Sequence, residues 1–286
     1  MNKIENISKT EKERIFNEII QDIKDIKIQG ARNIAKKALY AYLLIPTKRS
    51  KKKLLSLRPT EPLLRNVLDK TKENSYDEIM GYFDNTQKKI NQLMLKIIKN
   101  NDVIFTHCHS STVSKALVYT KKKGKKFEIY ATETRPLYQG RKTIMEMRKA
   151  GIKATFFIDS AAQVALTEKQ GTKKATKFFI GADALLKDGI VNKIGSSMFV
   201  HIAHENKIPV YIFAGSWKFT PRPVKMEQRS LKEIWKKAPS KIKIKNPAFS
   251  FVPKKYIKAI VSEFGILPYD KFLKRLEDKI KQEELD

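Results

Sequence analysis

The chain has 286 residues, of which 41% are hydrophobic and 25 are Phe or Tyr, and this apolar content excludes a disordered polypeptide. Its formal net charge of +29 at pH 7 is compatible with a nucleic-acid surface, with anionic ligands or with compositional bias alone. One cysteine excludes an internal disulfide, and the charged first residues and the shortness of every apolar run predict a cytoplasmic protein without membrane contact.

The first 98 residues are predicted to be helical. Apolar residues recur at helical spacing between positions 15 and 23 and again between 90 and 98. Thr60 and Pro62 predict a helix start, with the threonine as the cap and the proline in the first turn. We therefore expect a helical domain over residues 1–98.

From residue 99 onward, short β-rich runs alternate with helix-like segments. Strands separated by crossover helices predict an α/β domain over residues 99–286 with a parallel sheet covered on both faces. The sheet lacks the G-x-G-x-x-G fingerprint of dinucleotide binding. The predicted strands are Val103–Thr106, Phe127–Ala131, Ala154–Ile158, Lys177–Ile180 and Val210–Phe213.

The segment after the first strand reads Thr106-His107-Cys108-His109-Ser110-Ser111-Thr112. Ligands of parallel α/β sheets lie beyond the carboxyl ends of the strands, and small hydroxyl residues entering a helix favour an anion site. A cysteine at a helix N-terminus is expected to have a lowered pKa and to serve as a base or nucleophile. The alternative, that Cys108 is a buried packing residue, stays open on position alone.

Polar residues also follow the second and third strands. Arg135 and Gln139 suit a phosphate or a sugar hydroxyl, although Arg135 could instead pair with a neighbouring acid. Asp159 is predicted to cap a helix.

The fourth strand is followed by Asp183 and then by Asn192-Lys193-Ile194-Gly195. An aspartate buried there near a thiolate would stay protonated, as a general acid must, while the alternative is a helix cap or a salt bridge. Lys193 and Lys218 are natural phosphate partners, but a lysine carries little information in so basic a chain.

Two other functional classes are less favoured. The four histidines and Cys108 form no recognisable zinc spacing, so no metal site is predicted. The 59 basic residues include only 11 arginines, and the lysine runs lack interleaved aromatics. This pattern favours compositional bias over a nucleic-acid surface, so nucleic acid is not an expected partner.

Taken together, these strings resemble a known superfamily. It joins the regulatory subunits of translation initiation factor 2B with ribose-1,5-bisphosphate isomerase and methylthioribose-1-phosphate isomerase. The resemblance runs from about residue 28 to residue 268. The residues that carry it are Gln29-Gly30-Ala31, Leu57-Arg58-Pro59-Thr60-Glu61-Pro62, Thr106-His107-Cys108, Glu133-Thr134-Arg135-Pro136, Gln139-Gly140, Gly181-Ala182-Asp183, Asn192-Lys193-Ile194-Gly195 and Pro247–Pro268.

The resemblance implies an N-terminal helical domain followed by a Rossmann-like domain. It implies that Cys108 and Asp183 are the catalytic pair that the isomerases carry and that the initiation-factor subunits have generally lost. It also implies a phosphosugar site, with the second phosphate of a bisphosphate held by the 110–112 turn and Lys218. The expected substrate-binding residues are Gln29, Gly30, Ala31, Arg58, Ser110, Ser111, Thr112, Arg135, Gln139, Asn192, Lys193 and Lys218.

By this resemblance the chain is expected to be an aldose–ketose isomerase of a phosphorylated ribose, with ribose 1,5-bisphosphate to ribulose 1,5-bisphosphate as the named case within AMP metabolism. No cofactor is expected, and a homodimer or larger homo-oligomer is. One departure is Gln29, where the isomerases usually carry arginine, and Arg32 is a candidate substitute. The alternative is a non-catalytic subunit like those of initiation factor 2B, which would bind a nucleotide or sugar phosphate and a translation factor.

Overall fold

Five helices form the first part of the chain in the computed structural model, which describes residues 7–283. They confirm the helical periodicity of this region. Pro62 begins the fourth helix as predicted, but Thr60 does not cap it, because its hydroxyl donates instead to the backbone carbonyl of Lys225. The helices are α1 (Lys9–Lys24), α2 (Ala31–Leu44), α3 (Lys48–Leu55), α4 (Pro62–Lys70) and α5 (Tyr76–Ile97).

The strands begin at Asp102 and confirm all five predicted positions. Most of the strands after residue 183 were not predicted from the sequence, because several of them are only two to five residues long. The strands are β1 (Asp102–Thr106), β2 (Phe127–Thr132), β3 (Lys153–Phe157), β4 (Lys177–Ile180), β5 (Ala184–Leu185), β6 (Gly189–Lys193), β7 (Val210–Phe213), β8 (Phe249–Pro253), β9 (Ala259–Ser262) and β10 (Gly265–Leu267).

Seven of these strands form one sheet in the order β10-β9-β7-β4-β1-β2-β3. All neighbours are parallel except β9 and β10, which confirms a mostly parallel α/β sheet. The other three strands form a small antiparallel sheet in the order β5-β6-β8, which the sequence analysis did not predict.

Helices cover both faces of the large sheet, as a buried parallel sheet requires. The helices after β1 are α6 (Ser111–Lys122), α7 (Gln139–Lys149), α8 (Ala162–Leu166), α9 (Ser196–Glu205) and α10 (Tyr269–Glu283). Apolar residues of α5, α6 and α7 pack on one face of the sheet and those of α8, α9 and α10 on the other. The strands between them are accordingly apolar on both sides; Phe105, Phe178 and Phe179 are fully buried.

The order of the strands reverses between β1 and β4. From β1 the chain continues to β2 and β3 on one side, and from β4 to β7 and β9 on the other. Thr106 at the end of β1 pairs with Phe179 of β4, so the segments that follow the two strands start side by side. A crevice is expected at this switch point.

None of the helices in the described range meets the length and apolarity that a membrane span requires. The helices of the first part end at Ile97 and the first strand begins at Asp102. The division into domains 1–98 and 99–286 stays a prediction.

Candidate functional site

A cavity at the carboxyl ends of β1 and β4 collects most of the side chains that the sequence predicted for a site. The first helices contribute one wall and the strand ends contribute the other. Of the predicted site residues, those that line the cavity are Gln29, Gly30, Ala31, Arg58, Cys108, Ser110, Ser111, Thr112, Gln139, Asp183, Asn192, Lys193 and Lys218.

Cys108 is fixed by three contacts, one to the loop after β2 and two to helix α7. Its backbone lies in the left-handed region, with φ of 65°, and its N–H donates to Thr134 Oγ1 over 3.0 Å. Its carbonyl accepts from the Thr143 hydroxyl over 3.1 Å, and its thiol donates to Gln139 Oε1 over 3.6 Å. A left-handed non-glycine residue held this way points to a functional constraint on the backbone.

The expected low pKa of Cys108 is wrong for this structure. Helix α6 begins at Ser111 with Ser110 as its cap, so the cysteine precedes the helix N-terminus rather than sitting on it. Burial raises the pKa of Cys108 to about 11; the Lys193 ammonium lowers it, and the Asp183 carboxylate raises it. The thiol is therefore the resting form at neutral pH.

Gln29 takes part in the cysteine's surroundings through Gln139. The side-chain amide of Gln139 donates to Gln29 Oε1 over 3.0 Å, and Gln29 Nε2 donates to the Ile26 carbonyl over 2.8 Å. These bonds turn the Gln139 oxygen toward the thiol. Arg32 also lines the cavity, but its guanidinium is already bonded to the side chains of Gln87 and Asp84, both over 3.0 Å.

His107 links β1 to the turn after β6. It is 2% exposed, and burial lowers its pKa to about 4, so the ring is neutral. Its Nε2–H then donates to the Ile194 carbonyl over 2.8 Å, while Nδ1 accepts from the Thr132 hydroxyl over 2.6 Å. The histidine thus positions the turn that carries Lys193, a role for which the sequence offered only its place beside the cysteine.

Asp183 follows β4 and faces the cavity with two lysines. Burial raises its pKa, which confirms the expected direction, while the Lys218 and Lys193 ammonium groups lower it. The Lys218 ammonium donates to the Ala182 carbonyl, and burial lowers the pKa of this lysine. A side chain at Gly181 would place its Cβ 2.7 Å from Ser110 Oγ, so glycine permits the ends of β1 and β4 to approach.

Asn192, Lys193 and Arg58 complete the polar wall of the cavity. Asn192 Nδ2 donates to Ser196 Oγ over 2.9 Å, and the Lys193 ammonium lies 5.1 Å from the centre of the Phe249 ring. Arg58 is partly satisfied within the protein, because its guanidinium donates to the Ile23 carbonyl over 2.9 Å.

Arg135 is the exception among the predicted site residues. It is exposed, its guanidinium contacts the Tyr138 hydroxyl, and it does not line the cavity, so the substrate contact expected for it stays a prediction. Asp159 is not a helix cap. Its carboxylate accepts the N–H groups of Thr134 and Arg135, over 2.9 and 2.6 Å, and fixes the loop after β2.

Glu61 is a cavity residue for which the sequence analysis predicted no role. Only 7% of it is exposed, and its Oε2 atom has no hydrogen-bond partner among residues 7–283. Burial, assisted by the charge of Asp183, raises its pKa to about 8. Its sequence position marks a helix start and does not reveal that tertiary packing encloses the carboxyl.

In chemical terms, the cavity combines a potential base, a potential acid and several cations. Cys108 can exchange a proton with carbon, Asp183 can exchange one with oxygen, and Lys193 and Lys218 can hold an anion. Within the described residues, no three or more His, Cys, Asp or Glu side chains are grouped as metal ligands would be.

Residues 47–269 match the sequence profile of the initiation factor 2 subunit family. A Methanocaldococcus jannaschii protein named ribose 1,5-bisphosphate isomerase is 32% identical, over 89% of this chain and 92% of its own. The Archaeoglobus fulgidus protein of that name is 30% identical, over 88% and 89%. The crystal structure of Pyrococcus horikoshii translation initiation factor eIF-2B has a TM-score of 0.76 and 26% identity, covering 88% of this chain and 96% of that one.

Proposed function

The chain belongs to the initiation factor 2 subunit family, and we propose that it is a sugar-phosphate isomerase that converts ribose 1,5-bisphosphate into ribulose 1,5-bisphosphate. The observation that carries the proposal is that Cys108 and Asp183 face one cavity together with Lys193 and Lys218. Relatives about one-third identical over nearly the whole chain bear the name of this isomerase, which supports the choice of substrate.

The cations suit a doubly phosphorylated substrate. Lys193 and Arg58 would hold one phosphate, and Lys218 with the turn at 110–112 would hold the other. The backbone N–H groups at the start of α6 add a positive end for the second phosphate. Two anchors at the ends of an open sugar chain would keep its carbons in one geometry between the reacting side chains.

The reaction opens the ring and moves one hydrogen from C2 to C1. Protonated Asp183 would donate its proton to the ring oxygen as the bond from C1 to that oxygen breaks. The Cys108 thiolate would take the proton of C2, which leaves an enol phosphate between C1 and C2. Asp183 would then accept the proton of the C2 hydroxyl while Cys108 returns its own to C1, so that both side chains end as they began.

The pKa shift of Asp183 favours the protonation state that its role requires, whereas the pKa shift of Cys108 opposes it. Burial raises the pKa of Asp183, which favours the protonated form that ring opening needs. Burial also raises that of Cys108 to about 11, so its thiolate is the minority form at neutral pH and depends on the Lys193 ammonium. The active form pairs the Cys108 thiolate with protonated Asp183, so we expect kcat/KM to rise with pH until Asp183 begins to lose its proton and to fall only once the thiol is mostly ionised, above a pH of about 11.

The test is formation of ribulose 1,5-bisphosphate from the α anomer of ribose 1,5-bisphosphate. In Cys108→Ser and Asp183→Asn, kcat is expected to fall by about a thousandfold or more, because each change removes a proton-transfer group. Arg148→Ala is the control, since Arg148 is exposed on α7 and does not line the cavity, and its kcat/KM should stay within about twofold of wild type.

No turnover by folded wild-type protein at saturating substrate would defeat the named reaction. Such a result would favour a binding protein of the initiation-factor type, the class to which the similar Pyrococcus horikoshii structure is assigned by name. The replacement of the expected arginine by Gln29 is the feature of this cavity that agrees with that second candidate.

A further inference from the structure

Four buried side-chain polar atoms within residues 7–283 have no hydrogen-bond partner, and three of them belong to residues that line the cavity. These three are Glu61 Oε2, Glu227 Oε1 and Arg229 Nε. Buried polar groups in folded proteins are nearly always hydrogen-bonded, and leaving one unpaired is costly. Three such atoms in residues lining one cavity point to a ligand group that they bind.

Two of the three side chains are held in place by their other atoms. Glu227 Oε2 lies 3.7 Å from Arg58 Nη1, in a pair whose side chains are 13% and 10% exposed. Arg229 Nη2 donates to Glu233 Oε1 over 2.7 Å. Because one atom of Glu227 and one of Arg229 are anchored, their remaining atoms are presented in fixed positions, as a preorganised binding site requires. Glu61 is confined by burial, since it is 7% exposed.

The charge of this group suits a hydroxyl rather than a phosphate. The charge of Glu227, which also raises the pKa of Glu61, would repel a phosphate dianion, and the guanidinium of Arg229 is already paired with Glu233. A carboxyl oxygen accepts a hydrogen bond from a hydroxyl, and the free Nε–H of Arg229 donates one. The cavity thus has a hydroxyl-binding end beside its cationic, phosphate-binding residues.

In the proposed reaction, one hydroxyl of the sugar has no partner assigned so far and can bind at the hydroxyl-binding end of the cavity. Positions 1 and 5 carry phosphates, and Asp183 serves the oxygens on C2 and C4. The hydroxyl of C3 lies between those two oxygens, and Glu61 lines the same cavity as Asp183.

Resting on the proposed function, we propose that Glu61, Glu227 and Arg229 form a subsite that binds the C3 hydroxyl of the substrate and determines specificity for it. The protonation of Glu61 supports this assignment. Burial and Asp183 raise its pKa to about 8 and Glu227 acts in the same sense, against Arg58 and Lys218. A carboxylic acid at neutral pH can both donate to a hydroxyl and accept from it.

The subsite is tested by the affinity for ribose 1,5-bisphosphate and for its 3-deoxy analogue, measured by calorimetry in a Cys108→Ser background that cannot convert the sugar. The unmodified subsite should prefer the ribose compound by about a hundredfold or more. Glu61→Met should reduce that preference at least about tenfold without lowering the affinity for the 3-deoxy compound, and Glu61→Gln should restore part of the preference. Glu18→Gln, which changes a glutamate that is 59% exposed, is the control and should leave the preference intact.

Equal affinity for the two compounds in the unmodified subsite, or a parallel loss of both in Glu61→Met, would overturn the subsite. Turnover by the wild-type protein is read separately. A retained preference for the ribose compound without any turnover would defeat the proposed function and leave the subsite standing. Binding of neither compound would overturn both.

Discussion

The raised pKa of Cys108 predicts an unusually slow reaction with alkylating agents at neutral pH. Only the thiolate is a nucleophile toward iodoacetamide. Cys108 is the single cysteine of the chain, so every alkylation event reports on this site. The pKa of about 11 results from burial, with Lys193 acting against it.

The size of the effect follows from the fraction of thiolate. A group with a pKa of about 11 is ionised to about one part in 10,000 at pH 7, whereas a free cysteine with a pKa of about 8.5 is ionised to about 3%. The ratio of the two fractions is about 300. A thiolate of higher pKa is the stronger nucleophile, which offsets about tenfold, so the native protein should react about 30 times more slowly than the unfolded chain.

The assay is intact-mass spectrometry of the protein after timed exposure to iodoacetamide between pH 6 and 9. The same protein in concentrated urea serves as the unfolded reference. The native rate should rise about tenfold for each pH unit across the whole range, because the thiol is still mostly protonated at pH 9. Lys193→Gln should lower the native rate further, since it removes the cation that stabilises the thiolate.

A native rate that levels off below pH 8.5 would refute this reasoning. It would mean that the thiolate is stabilised near neutrality, as the sequence alone suggested. A rate that equals the unfolded reference at every pH would show instead that burial does not govern this thiol.

Three further changes test the fold of the sheet and of the cavity by urea unfolding followed by circular dichroism. Lys177→Met should lower the free energy of unfolding by about 3–5 kcal/mol, because it leaves the carboxylate of Asp102 buried without the ammonium 2.6 Å away. The control is Lys153→Met, which changes an exposed lysine and should cost about 0.5 kcal/mol. A cost of Lys177→Met no larger than that of the control would contradict this. Gly140→Ala should destabilise by about 3 kcal/mol or more, since its Cβ would lie 1.8 Å from a backbone carbonyl oxygen of β2, and a native-like free energy of unfolding would refute the clash. The pKa of Glu61 rises from 4.5 in the unfolded chain to about 8 in the folded protein. The folded state therefore holds the extra proton, and stability is lost as the pH rises between those values. The stability advantage of Glu61→Gln over wild type should grow by about 4 kcal/mol from pH 4.5 to 8, and a constant difference would show that Glu61 does not titrate there.

The sequence predicted the parts of the site that depend on local order along the chain. Hydrophobic runs bounded by polar residues located β1, β2, β3, β4 and β7, and the rule that ligands lie at strand ends placed Cys108 and Asp183 together. The small sheet β5-β6-β8 was missed because β5 has only two residues and because β6 pairs with the distant strand β8, so neither leaves a local periodicity. The cytoplasmic location and the homo-oligomer stay predictions.

What the sequence could not supply is burial, because burial depends on which distant segments meet. Position beside a helix predicted a low pKa for Cys108, but enclosure by surrounding segments outweighs the lysine charge near it. The same enclosure makes Glu61, which occupies the N-cap position of α4, a cavity residue as well. Arg135 shows the opposite effect, since its strand-end position matches the rule while the loop held by Asp159 leaves its side chain exposed.

Gln29, which stands where the family resemblance leads us to expect an arginine, also affects the chemistry of the cysteine. Its side-chain oxygen accepts from the Gln139 amide, so the Gln139 oxygen faces the Cys108 thiol and favours the protonated form. An arginine at this position would donate to that oxygen, turn the amide N–H groups toward sulfur and add a cation, all of which favour the thiolate. Gln29→Arg should therefore alkylate roughly tenfold faster than wild type at pH 7, whereas Gln29→Lys, which adds the charge without the planar fork, should gain less. An unchanged rate in Gln29→Arg would show that the two glutamines do not set the state of the thiol.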